Sequence, residues 1–318
     1  MSFTLRIGSR PSPLALAQAG MIKSALESLL PHTRTEIVAV KTTGDRLETA
    51  ELSRMGGKGL FVKELEAALS ERRVHLAVHS MKDLPARLAD GFRIAAVPAR
   101  EDARDALITR DGGGLDALEP GARLGTSSAR RRFEALKRRP DLQITRLRGN
   151  VDTRMGRVVR GELDATILAV AGLRRLGRSG LAHVEPLDDA HFIPAAGQGA
   201  LALEAIDEGP VGGSEEVERA VAALNDWRAG VETAAERAFL AAIGASCASA
   251  VGAKATVVDD RLRLTTLIFS SDGSRWLTES AEGALPNGVA SAEALGKTTG
   301  ERILGRGAAE LLRAEETL

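Results

Sequence analysis

The chain has 318 residues, 44% of them hydrophobic, and its 43 Lys plus Arg are balanced by 43 Asp plus Glu. This length is too great for one small core and predicts two or three domains, and the apolar content excludes an intrinsically disordered chain. No apolar run reaches the roughly 18 residues of a membrane span. Since the first ten residues lack the pattern of a secretory signal and a lone cysteine cannot form an intrachain disulfide, we expect a cytoplasmic protein.

The first two hundred residues alternate between strand-like and helix-like segments. Leu5–Gly8 is a short apolar run, and Ser12 before Pro13 is a helix start signal. Helical spacing to Leu30 predicts a helix with an apolar stripe of Leu14, Ala17, Met21, Ala25 and Leu29. The pattern then predicts strands at Glu36–Val40 and Leu76–His79 and a helix at Leu60–Leu69.

A second set of alternating segments begins near Asp105. The predicted strands are Leu107–Thr109, Arg123–Gly125, Gln143–Leu147 and Ala165–Ala169, and the predicted helices are Ser128–Arg138 and Val151–Arg160. Strands that alternate with helices predict parallel sheets flanked by helices.

The last hundred residues have a different pattern. A glycine-rich crossover at Ala195–Gly199 precedes a helical stretch, Glu215–Ile243, that is interrupted near Asn225–Gly230. The stretch after Cys247 predicts strands at Ala253–Val258, Arg261–Phe269 and Arg275–Ser280, then a closing helical segment at Val289–Arg313. We therefore expect a separate α+β domain with a three-stranded antiparallel sheet.

Two motifs follow in the first half of the chain. Gly56–Gly59 precedes a helix but lacks the Lys-Ser/Thr pair of a nucleotide-binding loop, and the preceding Thr42–Met55 fits a surface loop or a lid equally well. Asp83 follows a buried strand, where ligands bind in open parallel sheets, although the residue could instead cap a helix. A histidine in a position like that of His79 more often has a structural role than the role of a catalytic base.

Arginines cluster in the middle of the chain. Between Arg123 and Arg160 there are twelve Lys or Arg and three Asp or Glu, a local charge of +9. Arg130–Arg132 open a helix, where cations oppose the helix dipole at a cost of ~0.3–1 kcal/mol each, so the positions favour an anionic ligand. Arg146, Arg148 and Arg154 repeat the arrangement after the next strand, and a solvated basic face is the alternative.

Nucleic acid is another possible partner for this basic segment. The chain is 3% aromatic and has no tyrosine, so the stacking platforms of single-strand binders are missing. Cys247 lies among small residues, which fits either an exposed loop or a small buried hydrophobe, and no Cys/His cluster indicates a metal.

Together, these motifs resemble the porphobilinogen deaminase family. The matching segments are Arg6–Leu16, Gly56–Glu66, Ala77–Pro85, Gly125–Ser128 with the arginines that follow, Leu147–Val151, Ala169–Leu173 and Pro194–Ala200. The resemblance runs in order along the whole chain and is looser in the C-terminal third.

The resemblance implies a fold with two periplasmic-binding-protein-like α/β domains and a small C-terminal α+β domain. Domain 1 would comprise residues 1–98 and 196–214, domain 2 residues 99–195 and domain 3 residues 215–318. It also implies a monomeric transferase that joins four porphobilinogen molecules into hydroxymethylbilane with release of ammonia. The chain would grow on a dipyrromethane cofactor that Cys247 holds as a thioether, with no nucleic acid or membrane partner.

The resemblance also assigns residues to roles. Asp83, with Lys82, would be catalytic, and Cys247 would carry the cofactor. The remaining cofactor-binding residues would be Ser80, Lys82, Asp83, Thr126, Ser127, Ser128, Arg130, Arg131, Arg148 and Gly172. The substrate-binding residues would be Arg10, Ser12, Lys58, Phe61, Arg148, Arg154, Arg175 and Gln198.

One segment departs from the family pattern. The family cysteine usually follows a glycine-rich pair and precedes a proline by three positions, whereas here Ala245-Ser246 precede Cys247 and Ala250 stands at the proline position. A two-lobed binding protein without catalysis is the competing hypothesis. It would use the arginines but need neither Asp83 nor Cys247.

Overall fold

The structure is a computed structural model, and it describes residues 3–43, 62–178, 183–245 and 249–313. The chain forms two compact units, unit 1 (Met1–Glu101 and Ala200–Val231) and unit 2 (Asp102–Gly199 and Glu232–Leu318). Within the described ranges, no helix is long and apolar enough to cross a membrane.

The described strands are β1 (Thr4–Ser9), β2 (Arg34–Ala39), β3 (Leu76–Ser80), β4 (Phe92–Ala96), β5 (Asp105–Thr109), β6 (Arg123–Gly125), β7 (Gln143–Thr145), β8 (Ala165–Ala169), β9 (Val184–Pro186), β10 (Leu201–Ile206), β11 (Val251–Val258), β12 (Arg261–Phe269) and β13 (Trp276–Ala284). The described α-helices are α1 (Pro13–Leu29), α2 (Lys63–Ser70), α3 (Ala129–Arg138), α4 (Val151–Val159), α5 (Val170–Arg175), α6 (Glu215–Ala223), α7 (Trp227–Ile243), α8 (Val289–Ile303) and α9 (Ala309–Arg313).

Unit 1 is built on a five-stranded mixed sheet of order β2-β1-β3-β10-β4. Strands β1, β2 and β3 are parallel, and β10 is antiparallel to both of its neighbours. One face of the sheet packs against α1 through Ile22 and Leu26, and Leu65 and Leu69 of α2 pack near the other face.

The predicted helix α1 is confirmed, but its predicted apolar stripe is wrong. The buried residues are Gln18, Ala19, Ile22 and Leu26, whereas Met21 is 52% exposed. Both sets have helical spacing, and packing against β1 and β3 rather than apolar content decides which face is buried.

Unit 2 contains a second five-stranded sheet with the same plan, in the order β7-β6-β8-β5-β9. Here β6 is parallel to β7 and β8, while β5 is antiparallel to β8 and β9. The expectation of parallel sheets is therefore confirmed for β1–β3 and β6–β8 and wrong for the pairings that β5 and β10 make. The antiparallel strands β5 and β10 are each the first strand after the chain passes from one unit to the other.

The C-terminal part of unit 2 is the predicted antiparallel meander, β11-β12-β13. Glu232 and Glu236, one turn apart on α7, accept hydrogen bonds from the backbone N–H groups of Val257 (3.0 Å) and Ala255 (2.8 Å). The two carboxylates therefore tie α7 to β11. Together with the two mixed sheets, this small sheet confirms the predicted fold class.

The small sheet packs against α3 within unit 2. The Phe133 and Phe269 rings are 5.5 Å apart between centroids, and a Cβ on Gly273 would lie 2.0 Å from the Phe133 ring. Because Gly273 also has φ +77°, both space and backbone conformation require glycine there. The second mixed sheet and the meander share one compact unit, and the three-domain division stays a prediction.

Candidate active site

The carboxyl ends of β1 and β3 form the candidate ligand-binding edge of unit 1. Parallel neighbouring strands bring the residues after them to the same edge of a sheet. A pocket at this edge is lined by residues that include Arg10, Ser12, Gln18, His79, Ser80 and Asp83. Four of these six residues, Arg10, Ser12, Ser80 and Asp83, were predicted to bind substrate or cofactor, and the fold brings them together.

Asp83 is presented outward by the residues on either side of it. Met81–Asp83 forms one 3₁₀ turn directly after β3. Met81 and Leu84 are buried, and the Met81 N–H donates to the Ala200 carbonyl (3.0 Å), so the two apolar side chains anchor the turn and leave Asp83 exposed. No helix begins at Asp83, so the helix-cap interpretation of this residue is wrong.

Gln18 and Ser80 are hydrogen-bonded across the same pocket. The Ser80 Oγ lies 3.1 Å from both the amide oxygen and the amide nitrogen of Gln18, which is 3% exposed. Sequence reasoning missed Gln18. A polar residue at a helical position between apolar neighbours was the available signal. Ser12 caps α1 by accepting the Ala15 N–H (3.3 Å), so its hydroxyl hydrogen is available to a ligand.

Unit 2 has its own candidate ligand-binding edge, where β6 and β7 end. The Ser127 hydroxyl donates to the Leu147 carbonyl (2.8 Å), and the Thr126 N–H donates to the Thr145 carbonyl (2.9 Å). Ser128 caps α3. These bonds, with the parallel pairing of β6 and β7, hold the two arginine-bearing turns side by side.

Arg130 and Arg131 are buried and paired with a carboxylate that sequence reasoning missed. Arg131 Nη2 donates to Asp105 Oδ1 (2.7 Å), and Arg130 Nη2 lies 2.8 Å from Asp105 Oδ2. Burial alone would raise the pKa of Asp105, but the two guanidinium charges outweigh it and hold this pKa well below its usual range. Asp105 begins a strand with no motif around it, so no sequence signal marked it.

Two further side chains complete this buried network. Glu134 Oε2 accepts from Arg130 Nη1 (2.7 Å), and Glu134 Oε1 accepts from the Ile193 N–H (2.6 Å). Burial raises the pKa of Glu134 to about 7, against the opposing charge of Arg130. Gln198, predicted to bind substrate, is buried and donates to Asp105 Oδ1 (3.0 Å) and to the Ala103 carbonyl (2.7 Å).

The environment of Arg148 is suited to an anionic ligand. It is half-buried, and no described residue accepts a hydrogen bond from its buried Nε. Burial, and then the charge of Arg146, lowers the pKa of Arg148. A cation that is partly dehydrated and lies beside another cation is stabilised when a carboxylate binds to it.

The remaining predicted residues of unit 2 lie near the ends of β7 and β8. Arg154 Nε donates to the Gly149 carbonyl (2.7 Å), and Arg175 Nη2 donates to the Gly199 carbonyl (2.6 Å). Gly172 is buried in α5.

Lys82, in unit 1, is half-buried beside Asp83.

Much of the basic segment is neutralised by acids that lie outside the cluster of arginines. Besides the Asp105 pairs, the ion pairs are Arg123 with Asp164, Arg138 with Asp116, and Arg157 and Arg160 with Glu162. The local charge of +9 therefore does not translate into an equally basic surface.

Three predicted site residues lie outside the described residues, namely Lys58, Phe61 and Cys247. The Gly56–Gly59 motif also lies outside them. Ala250, at the position of the expected proline, is 3% exposed and packs with Phe133, Ile193 and Phe269. The chain three residues beyond Cys247 is therefore fixed in the core of unit 2.

Comparison with known proteins points to one family along most of the chain. A model described as "Porphobilinogen deaminase, dipyromethane cofactor binding domain" matches residues 5–210, and one described as "Porphobilinogen deaminase, C-terminal domain" matches residues 231–305. The chain belongs to the porphobilinogen deaminase family. Porphobilinogen deaminase of Syntrophobacter fumaroxidans is 44% identical over 309 residues, which cover 97% of this chain and 96% of the relative.

Other relatives extend the comparison. Porphobilinogen deaminase of Syntrophotalea carbinolica is 42% identical over 313 residues, covering 98% of this chain and 96% of the relative. Among solved structures, the BenM effector binding domain with its effector benzoate has a TM-score of 0.41 at 12% identity, over 69% of this chain and 90% of its own, too distant to bear on the site.

Family membership establishes the reaction. Porphobilinogen deaminases are transferases of tetrapyrrole biosynthesis that join four porphobilinogen molecules into hydroxymethylbilane and release ammonia at each step. The matched cofactor-binding domain establishes dipyrromethane as the cofactor. The catalysis-free binding protein is therefore excluded.

Proposed function

We propose that Cys247 holds the dipyrromethane cofactor as a thioether and that the two ligand-binding edges supply the groups that act on porphobilinogen. Cys247 is the single cysteine of the chain, so no other thiol is available. The buried Ala250 supports the assignment, because it fixes the chain three residues beyond the cysteine.

The state of Arg148 carries the binding part of this proposal. Each pyrrole unit of substrate, cofactor and product has an acetate and a propionate, so a growing chain accumulates carboxylates. A half-buried guanidinium with an unpartnered Nε is suited to such a group. The donor set of unit 2 therefore fits the cofactor, with Arg148 as its most available cation.

We assign the other binding roles by position. Arg154, Arg175, Thr126, Ser127 and Ser128 would add donors near Arg148, and Gly172 would allow close approach of the cofactor. Arg130, Arg131 and Gln198 would contribute mainly by holding this edge together, because their polar groups are already engaged by Asp105 and backbone carbonyls. Any additional contact from them to a ligand carboxylate stays a prediction.

Asp83 is the proposed catalytic residue. Loss of ammonia from porphobilinogen leaves a cationic methylene-pyrrole, and a fixed carboxylate stabilises that charge and accepts the pyrrole N–H. Asp83 is exposed at the pocket, on a turn anchored by the buried side chains of Met81 and Leu84. Its carboxylate is therefore held in place and stays accessible to a ligand. Lys82 would be its cationic neighbour.

Arg10, Ser12 and Ser80 complete the proposed substrate contacts of unit 1. The guanidinium and the two hydroxyls lie in the same pocket as Asp83 and would orient the acetate and propionate of the incoming porphobilinogen. Lys58 and Phe61 would contribute a cation and a ring that packs on a pyrrole. A three-domain division, a cytoplasmic location and a monomeric state also remain part of the proposal.

A colour reaction for pyrroles tests the cofactor attachment. The purified, denatured wild-type chain should give the colour after removal of small molecules, and Cys247→Ser should not. Ser249→Ala, two residues away, is the matched control and should keep the colour. Colour retained on Cys247→Ser would refute the thioether at this residue.

A further inference from the structure

A buried histidine–glutamate pair lies next to the candidate ligand-binding edge of unit 1. His79 Nε2 is 2.8 Å from Glu204 Oε2, and the two side chains are 4% and 0% exposed. The antiparallel register places Ala202 opposite His79 and Glu204 opposite Ala77, so the two side chains are diagonal neighbours on one face of the sheet.

The surroundings of Glu204 make this pair unusual. Neither carboxylate oxygen of Glu204 has an aligned hydrogen-bond donor among the described residues, and the close His79 contact is itself poorly aligned. A bare buried carboxylate costs several kcal/mol, and the cost falls when a proton lies on it or on an adjacent base. The adjacent His79 ring, 2.8 Å away, is therefore the group through which the fold can offset that cost.

Other charged groups face the pair from neighbouring elements. On α2, burial raises the pKa of Glu66, the charge of Glu204 raises it further, and His79 and Lys63 oppose them. On the pocket side, His79 shares the wall with Arg10 and Asp83. The pair therefore lines the pocket that contains Asp83 through His79 and interacts electrostatically with the half-buried Glu66.

We propose that His79 and Glu204 are positioning residues for the reaction. Through their 2.8 Å contact they fix the His79 ring in the pocket wall, and the buried carboxylate contributes to the charge near Asp83 and near the aminomethyl group of a bound porphobilinogen. The fold alone does not require a charged pair here, because apolar side chains of similar volume would cost less to bury. This role rests on the proposed catalytic role of Asp83.

The test compares the pH dependence of turnover in loaded variants. Glu204→Gln and His79→Gln should each lower kcat at least tenfold, change KM less than threefold, and move a limb of the kcat profile by at least one pH unit. The double variant should be no slower than the worse single variant, because the two residues act as one unit. Glu218→Gln is the matched control, since it breaks a unit 1 ion pair with Arg93 (2.7 Å) away from the pocket.

Each outcome decides between a positioning and a purely structural role. Loss of thermal stability with an unchanged pH profile, or additive losses in the double variant, would overturn the proposal. If Glu204→Gln does not fold, the double variant decides, because it leaves no unpaired buried charge. Asp83→Asn, measured in the same series, separates the two claims. Full turnover in Asp83→Asn refutes the proposed role of Asp83. An inactive Asp83→Asn together with an unaltered pH profile in Glu204→Gln refutes only the proposed role of the His79–Glu204 pair.

Discussion

Arg131 donates through Nη2 to Asp105 Oδ1 at 2.7 Å, although the two residues are 26 positions apart in the chain. Both side chains are buried. Arg130 contacts the other oxygen of the same carboxylate. A cluster of arginines that suggested ligand binding is therefore divided in two. Arg130 and Arg131 stabilise the edge through Asp105, and Arg148, whose Nε has no hydrogen-bond partner among the described residues, remains the proposed ligand-binding arginine.

Removing the charge of the buried Asp105 should lower the free energy of unfolding more than removing the charge of a surface carboxylate. Asp105→Asn leaves the buried Arg131 without its counter-charge and Arg130 with Glu134 as its carboxylate partner, and we expect it to lower the free energy of unfolding by about 3–5 kcal/mol. Urea unfolding measures this. Asp164→Asn, which breaks the exposed pair with Arg123, is the control, and equal losses in the two variants would contradict the assigned role of Asp105.

Stability should also depend on pH through Glu134. Its pKa is raised to about 7 in the folded chain, so the folded state binds this proton more tightly than the unfolded state does. The resulting stabilisation is complete below the ordinary pKa of a glutamate and is lost as pH rises through about 7, with a span of a few kcal/mol.

Glu134→Gln should therefore flatten the fall in unfolding free energy between about pH 4.5 and 7, whatever its absolute stability. Glu119→Gln, an exposed change in the same unit, should leave that slope as it is in the wild type. An identical slope in Glu134→Gln would show that Glu134 does not titrate in this range.

Arg148 should show a trade between stability and function. Arg148→Met removes a partly dehydrated cation, so the cofactor-free chain should unfold at the same or a higher temperature. Turnover should nevertheless fall at least tenfold, through weaker binding of ligand carboxylates. Arg123→Met, at an exposed and paired guanidinium, should keep turnover, and a normal KM and kcat in Arg148→Met would exclude Arg148 from the site.

Asp83→Asn keeps the shape of the side chain but removes its charge. Since Asp83 is exposed, thermal stability should stay near that of the wild type, and the cofactor should still be loaded. We expect kcat to fall about 100-fold or more, in the range for loss of one charge-stabilising group. Asp90→Asn, also exposed in unit 1, should be neutral; near-normal turnover in Asp83→Asn would remove Asp83 from the mechanism.

Local signals predicted the elements that carry the site. Ser12 and Pro13 mark the start of α1, and the strand-like run Leu76–His79 predicted that Asp83 follows a buried strand. Contacts between distant segments were not predictable in the same way. The partner of Arg131 and the buried face of α1 both depend on which strands become neighbours, and no local pattern records that choice.

The antiparallel strands illustrate the same limit. Strands β5 and β10 have ordinary apolar sequences, and their direction follows from where the chain returns to each sheet. The pairing of His79 with Glu204 depends on that register and could not be read from either segment alone.

The intact mass of the purified chain tests the central claim most directly. A chain that polymerises porphobilinogen on a thioether-linked primer should be heavier than its sequence by two pyrrole units, and Cys247→Ser should return to the bare mass. A wild-type chain prepared from cells that make porphobilinogen but showing the bare polypeptide mass would contradict a loaded Cys247.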